Sequence, residues 1–159
     1  GTVRRRLLPG VGPALSRLVQ GGASPFLGVQ PIRAWAGGIS LNRLSWRAKN
    51  GLRNFWSVWR SFTDAVWCPH APEESCFCRK PLPGMFDELR DRHGLLPETT
   101  FMIGDKLDDL GFAANAGLSA GLLVLSGNGA EHARKAGYPV PVSGIVEVPG
   151  APACRRCGF

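Results

Sequence analysis

Three short stretches of this chain place residues capable of chemistry close together. The first is Cys68-Pro69-His70 followed by Cys76-Phe77-Cys78. Three thiolates and one imidazole are the ligand set of a closed tetrahedral zinc site. The spacing between the two pairs lets one loop fold back and bring all four onto a single ion. With no ligand position left for water, such an ion would stiffen the loop rather than react. The alternative is unconnected cysteines packed as small apolar residues. The second stretch is Arg79-Lys80-Pro81, directly after the last cysteine of the loop. An Arg fork beside a Lys point charge, held by a stiffened loop ahead of a helix, makes a phosphate clamp; standing alone, such a pair is two solvated side chains. The third is Gly104-Asp105-Lys106-Leu107-Asp108-Asp109. Carboxylates at the carboxyl end of a strand can hold a hard cation such as Mg²⁺ against a phosphate. Asp108 equally suits the first turn of a helix, where an acid favours the dipole, whereas Asp105 at the strand end does not.

Elements able to position these residues follow from the apolar pattern. Phe62 to Trp67 is strand-like and runs into a Pro- and Cys-rich loop ending at Pro83. Met85 to His93 has a helical period closed by Gly94, with Met85, Phe86 and Leu89 facing inward. An apolar strand, Phe101 to Ile103, leads into Gly104-Asp105. A helix from Leu107 to Ala116 stops at Gly117, and a second buried strand covers Leu122 to Leu125. This strand–helix alternation predicts a parallel α/β sheet. Ala130 to Ala136 is a further helix candidate, and the Pro/Gly-rich tail from Pro139 is expected as loop or an edge. At the other end, Leu7 to Gly22 predicts a short amphipathic helix. Between Ala23 and Ser61 no period emerges beyond a strand candidate at Phe26 to Ile32 and a basic helix candidate at Trp46 to Trp59.

Composition narrows the classes. The 159 residues are 44% hydrophobic and carry a net charge of +7, enough for one domain with a core. No apolar run approaches the ~18 residues of a spanning helix, and glycine has no collagen-like period. The charge is unevenly placed: before Asp64 there are ten basic residues and no acid, and from Asp64 onward nine basic and twelve acidic. Four of the five Trp lie in the acid-free part. Such a segment fits an organelle transit peptide or a surface stacking on single-stranded nucleic acid, but not a secretory signal, which needs an apolar core. The first residue, Gly1, leads us to expect a fragment or a processed product. Cys154 and Cys157 form a second CxxC, a redox pair or half of a metal site in principle, which on a Pro/Gly-rich tail is expected as exposed thiols. His93 and His132 are expected to be solvated.

Cys68 to Gly129, through CPHAPEESCFCRKPLPGM and FMIGDKLDDLGFAANAG, resembles the C-terminal half of the haloacid dehalogenase (HAD) superfamily phosphatases, in the group of heptose 1,7-bisphosphate and histidinol-phosphate phosphatases. Zinc loop, basic motif and acidic motif occur in the family's order and spacing, and LLPGVGPALSRLVQGG resembles the helix after its first strand. The resemblance implies a HAD-like, Rossmannoid parallel sheet with helices on both faces. It makes Cys68, His70, Cys76 and Cys78 structural zinc ligands and Lys80 the phosphate-stabilising lysine. Arg79 and Lys106 would contact substrate, and Asp105 and Asp109 would serve magnesium. The implied activity is Mg²⁺-dependent hydrolysis of a phosphomonoester through an aspartyl-phosphate, on a small-molecule sugar phosphate, by a cytoplasmic monomer with no membrane and no nucleic-acid partner.

Two family motifs are absent. The nucleophile and the acid/base belong to Asp-x-Asp-Gly-Thr at the end of the first strand; Gly1-Thr2-Val3 resembles its tail without the aspartates, so the N-terminal part of the fold is expected to be incomplete. Where the family has Ser-Asn-Gln-Ser-Gly-x-Gly-Arg-Gly, this chain has Val29 to Gly38. Codons exist for that segment which, read one base later, encode Ser-Asn-Gln-Ser-Gly-His-Gly-Arg-Gly. An out-of-frame reading over about 23–61 accounts together for the missing acids, the Trp and Arg excess and the lost period. The expected organisation is a remnant of the first helix region (1–22), an aberrant basic segment (23–61), a HAD-like half with the zinc loop (62–138) and a tail (139–159). The expected outcome is a phosphatase by family with no turnover as given. The competing classes are a non-catalytic zinc module and a nucleic-acid binder using the basic segment.

Overall fold

A computed structural model describes residues 9–30, 61–138 and 145–148. The chain divides between Pro69 and His70 into two compact units. In the first, helix α1 (Val11–Gln20) precedes strand β1 (Phe26–Val29), and β2 (Asp64–Trp67) pairs with β1 in parallel, Phe26 opposite Asp64 and Val29 opposite Trp67. The ladder continues one bond further, Cys68 N–H donating to Val29 O at 2.9 Å. Asp64, Ala65 and Val66 are buried; the Asp64 carboxylate accepts the N–H of Ala65 at 2.7 Å, which offsets part of the cost of placing a carboxylate there. A strand at Phe26–Val29 means that the segment expected to be aberrant from residue 23 begins with a regular, paired element. Residues 31–60, with the basic helix candidate and most of the excess Arg and Trp, lie outside the described residues, as do Cys154 and Cys157.

The second unit contains α2 (Gly84–His93), β3 (Phe101–Gly104), α3 (Leu107–Asn115), β4 (Ala120–Val124), α4 (Gly129–Lys135) and β5 (Ile145–Val148). The strand order is β3-β4-β5, with β3 parallel to β4 and β5 antiparallel to β4. The β3–α3–β4 crossover is the α/β unit expected from the alternation. Met85, Phe86 and Leu89 are buried along one face of α2, as their spacing requires. Asp87 near its start, and Arg90, Arg92 and His93 in its last turn, have the signs the helix dipole favours. Helix α3 ends in a Schellman motif: Gly117 adopts φ 66°, its N–H donates to Ala114 O, and Leu118 N–H donates to Ala113 O. Leu110, Leu123 and Ala133 form a buried cluster joining α3, β4 and α4, with Leu107, Leu125 and Tyr138 against it.

One expectation needs correction here. Phe101 and Ile103, two residues apart on one face of β3, are 44% and 41% exposed, so β3 is not buried on both faces. The tail supplies an edge, as one of its two readings had it: β5 pairs with β4 from Ile145 to Val148 and ends the β3-β4-β5 order. Among the described residues no helix is long and apolar enough to cross a membrane.

Candidate active site

The loop leaving β2 brings Cys68, His70, Cys76 and Cys78 together, with one ligand atom from each lying within 4.8 Å of the others. Cys76 Sγ and Cys78 Sγ are 3.6 Å apart, and His70 Nδ1 is 3.2 Å from Cys78 Sγ. Around a tetrahedral zinc the corresponding separations would be about 3.6–3.8 Å, so this donor set fits the ion with small adjustments. Cys68 is fully buried, and none of the three cysteines is in a disulfide. A 3₁₀ turn at Pro72–Glu74 lets the loop reverse, and the Glu74 carboxylate accepts the N–H of Ala71.

The residues after Cys78 are held from several sides. Arg79 donates from Nη1 to His70 O at 3.1 Å, which ties the guanidinium to the Cys/His loop. Leu82 N–H donates to Arg79 O and Gly84 N–H to Phe77 O, closing the turn into α2. Asn115, at the end of α3, donates from Nδ2 to Pro81 O at 3.0 Å. Lys80 reaches across to α3, its Nζ 2.6 Å from Asp109 Oδ1, with both side chains nearly buried.

The turn between β3 and α3 carries the carboxylates. Asp109 is 4% exposed; its Oδ1 takes Lys80, and its Oδ2 accepts the N–H of Lys106 at 3.1 Å, capping the first turn of α3. Gly104 is required for this: a Cβ there would overlap the Asp109 carboxylate. Asp109, expected as a magnesium ligand, therefore has both oxygens engaged by groups of the protein. Asp105 differs. Its Oδ2 accepts the backbone N–H and the Nδ2 of Asn128, each at 3.0 Å, while its Oδ1 has no partner among the described residues. Lys106 is half-buried, and its ammonium likewise has no partner among them. Asp108 is exposed in the first turn of α3, the place its helix-dipole reading gives it. His132, expected to be solvated, is half-buried instead, its Nδ1 facing the Leu107 N–H at 3.4 Å; His93 is exposed.

Lys80, Asp105, Lys106 and Asp109 are thus assembled at the carboxyl end of a parallel strand, with Arg79 tied to the Cys/His loop. Asn115 and Asn128 were not foreseen. A polar turn after β4, Ser126-Gly127-Asn128-Gly129, was the available signal for Asn128, since ligand groups gather at strand ends; nothing in the sequence marks Asn115.

This fold and site define a hydrolase of the HAD type. The HAD-hydrolase-like family model matches residues 77–147. A D-glycero-beta-D-manno-heptose-1,7-bisphosphate 7-phosphatase of Bordetella bronchiseptica is 34% identical over 136 residues, 83% of this chain and 73% of that protein. A protein of the same name from Pseudomonas aeruginosa is 36% identical over 81 residues, 51% of this chain and 43% of its own length. The crystal structure of the Bordetella bronchiseptica D,D-heptose 1,7-bisphosphate phosphatase complexed with magnesium and phosphate superposes with a TM-score of 0.69 at 29% identity, covering 86% of this chain and 75% of that one. The chain belongs to the HAD-like hydrolases and, within them, to the family of these phosphatases.

Proposed function

We propose that this chain carries the anion- and cation-holding part of a sugar-phosphate phosphatase of the heptose 1,7-bisphosphate type. The observation that supports it most directly is the Lys80–Asp109 pair, 2.6 Å across 29 residues of sequence, which fixes an ammonium beside the acidic turn at the end of β3. Lys80 and Arg79 would bind and orient the phosphate, with Lys106 as a further cation for substrate. Asp105, with Oδ1 available, would hold Mg²⁺, whose chemistry is to neutralise charge on the phosphoryl oxygens. Asp109 positions Lys80 and closes the helix start instead of contacting the cation. Zinc on Cys68, His70, Cys76 and Cys78 would keep the loop, and with it Arg79, in place. Its role is structural because four protein ligands leave no open position.

The 159 residues contain no Asp-x-Asp-Gly-Thr and no Ser-Asn-Gln-Ser-Gly sequence. Covalent catalysis needs its nucleophile, so these 159 residues taken by themselves are expected to bind phosphosugar without turning it over. The segment reading, with 62–138 as the HAD-like half, belongs to the same proposal, as does the cytoplasm as its place of action.

The test is elemental analysis of the purified chain together with phosphate release from a heptose 1,7-bisphosphate in Mg²⁺ and direct binding of that sugar. One zinc per chain, saturable binding and no release are expected. Robust release would mean that another carboxylate, Asp64 or Asp108, acts as nucleophile, and the inactivity would be withdrawn. Absence of both zinc and sugar binding would overturn the whole reading.

A further inference from the structure

The segment from Arg79 to Gly84 turns back onto the Cys/His loop and meets it at both ligand pairs. Arg79 donates from Nη1 to the carbonyl of His70, in the first pair, at 3.1 Å. The N–H of Gly84 donates to the carbonyl of Phe77, between Cys76 and Cys78, at 3.2 Å. The first contact spends a guanidinium nitrogen on the loop and the second is backbone to backbone, so an anion clamp explains neither. Gly84 leaves no room for a side chain. A Cβ there would lie 2.7 Å from Phe77 O and 2.9 Å from its carbonyl carbon, and backbone cannot swing aside as a side chain does. The support behind these donors is firm: Leu82 N–H donates to Arg79 O at 2.9 Å, Asn115 of α3 donates to Pro81 O at 3.0 Å, and α2, which begins at Gly84, buries Met85, Phe86 and Leu89.

We infer that Arg79 and Gly84 are positioning residues for the ion of the Cys/His loop, one for each ligand pair. Holding the carbonyls of His70 and Phe77 sets the separation and tilt of the Cys68–His70 and Cys76–Cys78 ends, so that four donors converge on one ion. This rests on zinc binding by the loop, as proposed above. Clamp and ion close the loop together: without the ion the thiolates repel, so the clamp contributes only in the loaded chain. Groups behind metal ligands typically alter metal affinity by about 10–100-fold. Gly84→Ala belongs at the upper end, because its methyl group displaces backbone between two ligands. Arg79→Ala belongs at the lower end, because the Gly84 bond remains.

The experiment titrates the chelator-stripped 159-residue chain with Co²⁺, whose visible absorption reports tetrahedral thiolate coordination, and displaces it with Zn²⁺. The wild-type chain should bind Co²⁺ saturably. Gly84→Ala should weaken that binding by up to about 100-fold and Arg79→Ala by about 10-fold, with Arg79→Lys, which keeps a cationic donor, between Arg79→Ala and wild type. Glu73→Gln, exposed between the two ligand pairs, should bind as wild type. Melting temperatures taken with and without metal separate the clamp from general stability: the variants should melt below wild type when loaded and with it when stripped. An equal deficit in both states overturns the clamp, as does wild-type affinity in the folded variants, and either result leaves the zinc site standing. If Gly84→Ala does not fold, Arg79→Ala and Arg79→Lys decide by the same two readings. No saturable Co²⁺ or Zn²⁺ binding by the wild type overturns the zinc reading and the clamp with it.

Discussion

The Cys/His loop and the β3–α3 turn both gather side chains of the kind that bind cations, but they are held in opposite ways. In the loop, the four donor atoms face one another, Cys76 Sγ 3.6 Å from Cys78 Sγ and His70 Nδ1 3.2 Å from the same sulfur. Three thiolates drawn together would repel, so the zinc proposed for this loop would supply the attraction that keeps them there. In the turn, the carboxylates already have protein partners: Asp109 has Lys80 and the Lys106 N–H, and Asp105 has Asn128. A soft-ligand site of this kind would form with its metal, whereas the turn is closed by hydrogen bonds within the protein. On the proposed reading, zinc in the loop would be tied to folding while a magnesium at Asp105 would stay exchangeable.

Metal removal is the strongest way to break this contrast. Stripping zinc with a chelator should abolish amide protection through residues 68–78 while residues 105–109 stay protected, as read by hydrogen exchange. Equal loss in both regions would mean that the turn depends on the loop. The Lys80–Asp109 pair comes next. Asp109→Ala removes the carboxylate that the nearly buried Lys80 ammonium meets at 2.6 Å and should destabilise the chain by up to about 3–5 kcal/mol in denaturant titration. Replacing both partners with apolar residues should cost much less. Gly104→Ala sharpens the same point without deleting a charge. Its methyl group overlaps the Asp109 carboxylate, and the expected loss is about 1–3 kcal/mol, accompanied by weaker protection of the Lys106 amide. The smallest effect is expected on α4, where Lys135 holds the exposed Glu131 carboxyl below its ordinary range. A lowered carboxylate pKa contributes stability above the unfolded value and loses it as pH falls through the folded one. Glu131→Gln should therefore leave the melting temperature unchanged within error at neutral pH and remove only a slight acid-side slope.

Several of these features were legible before any coordinates. Helix α2 could be read from Met85, Phe86 and Leu89 and from its stop at Gly94, and α3 from its apolar period and Gly117, because a buried helical face and a left-handed C-terminus leave marks within a few residues. The grouping of Cys68, His70, Cys76 and Cys78 could be read for the same reason, since all four lie on one short loop. Strand β3 misled: three consecutive apolar residues do not say which face will be covered, and Phe101 and Ile103 are substantially exposed. Strand β5 was legible only as the choice between loop and edge, because pairing with β4 is a non-local event that four residues of a Pro/Gly-rich tail do not decide.

The sequence by itself determined the chemistry available here: three thiols and an imidazole on one loop, two cations after it, and carboxylates at a strand end. Local spacing is enough for that, because such motifs are written within a single turn or loop. Only the tertiary structure decided how the charges are shared. Lys80 meets Asp109 across 29 residues, Asn128 meets Asp105 across 23, and Asn115 holds Pro81 across 34. Those partnerships leave one oxygen of Asp105 without a partner among the described residues and engage both oxygens of Asp109. Their physical origin is the β3–α3–β4 crossover, which gathers the ends of separate elements at one edge of the sheet, where buried charges must find partners or remain costly.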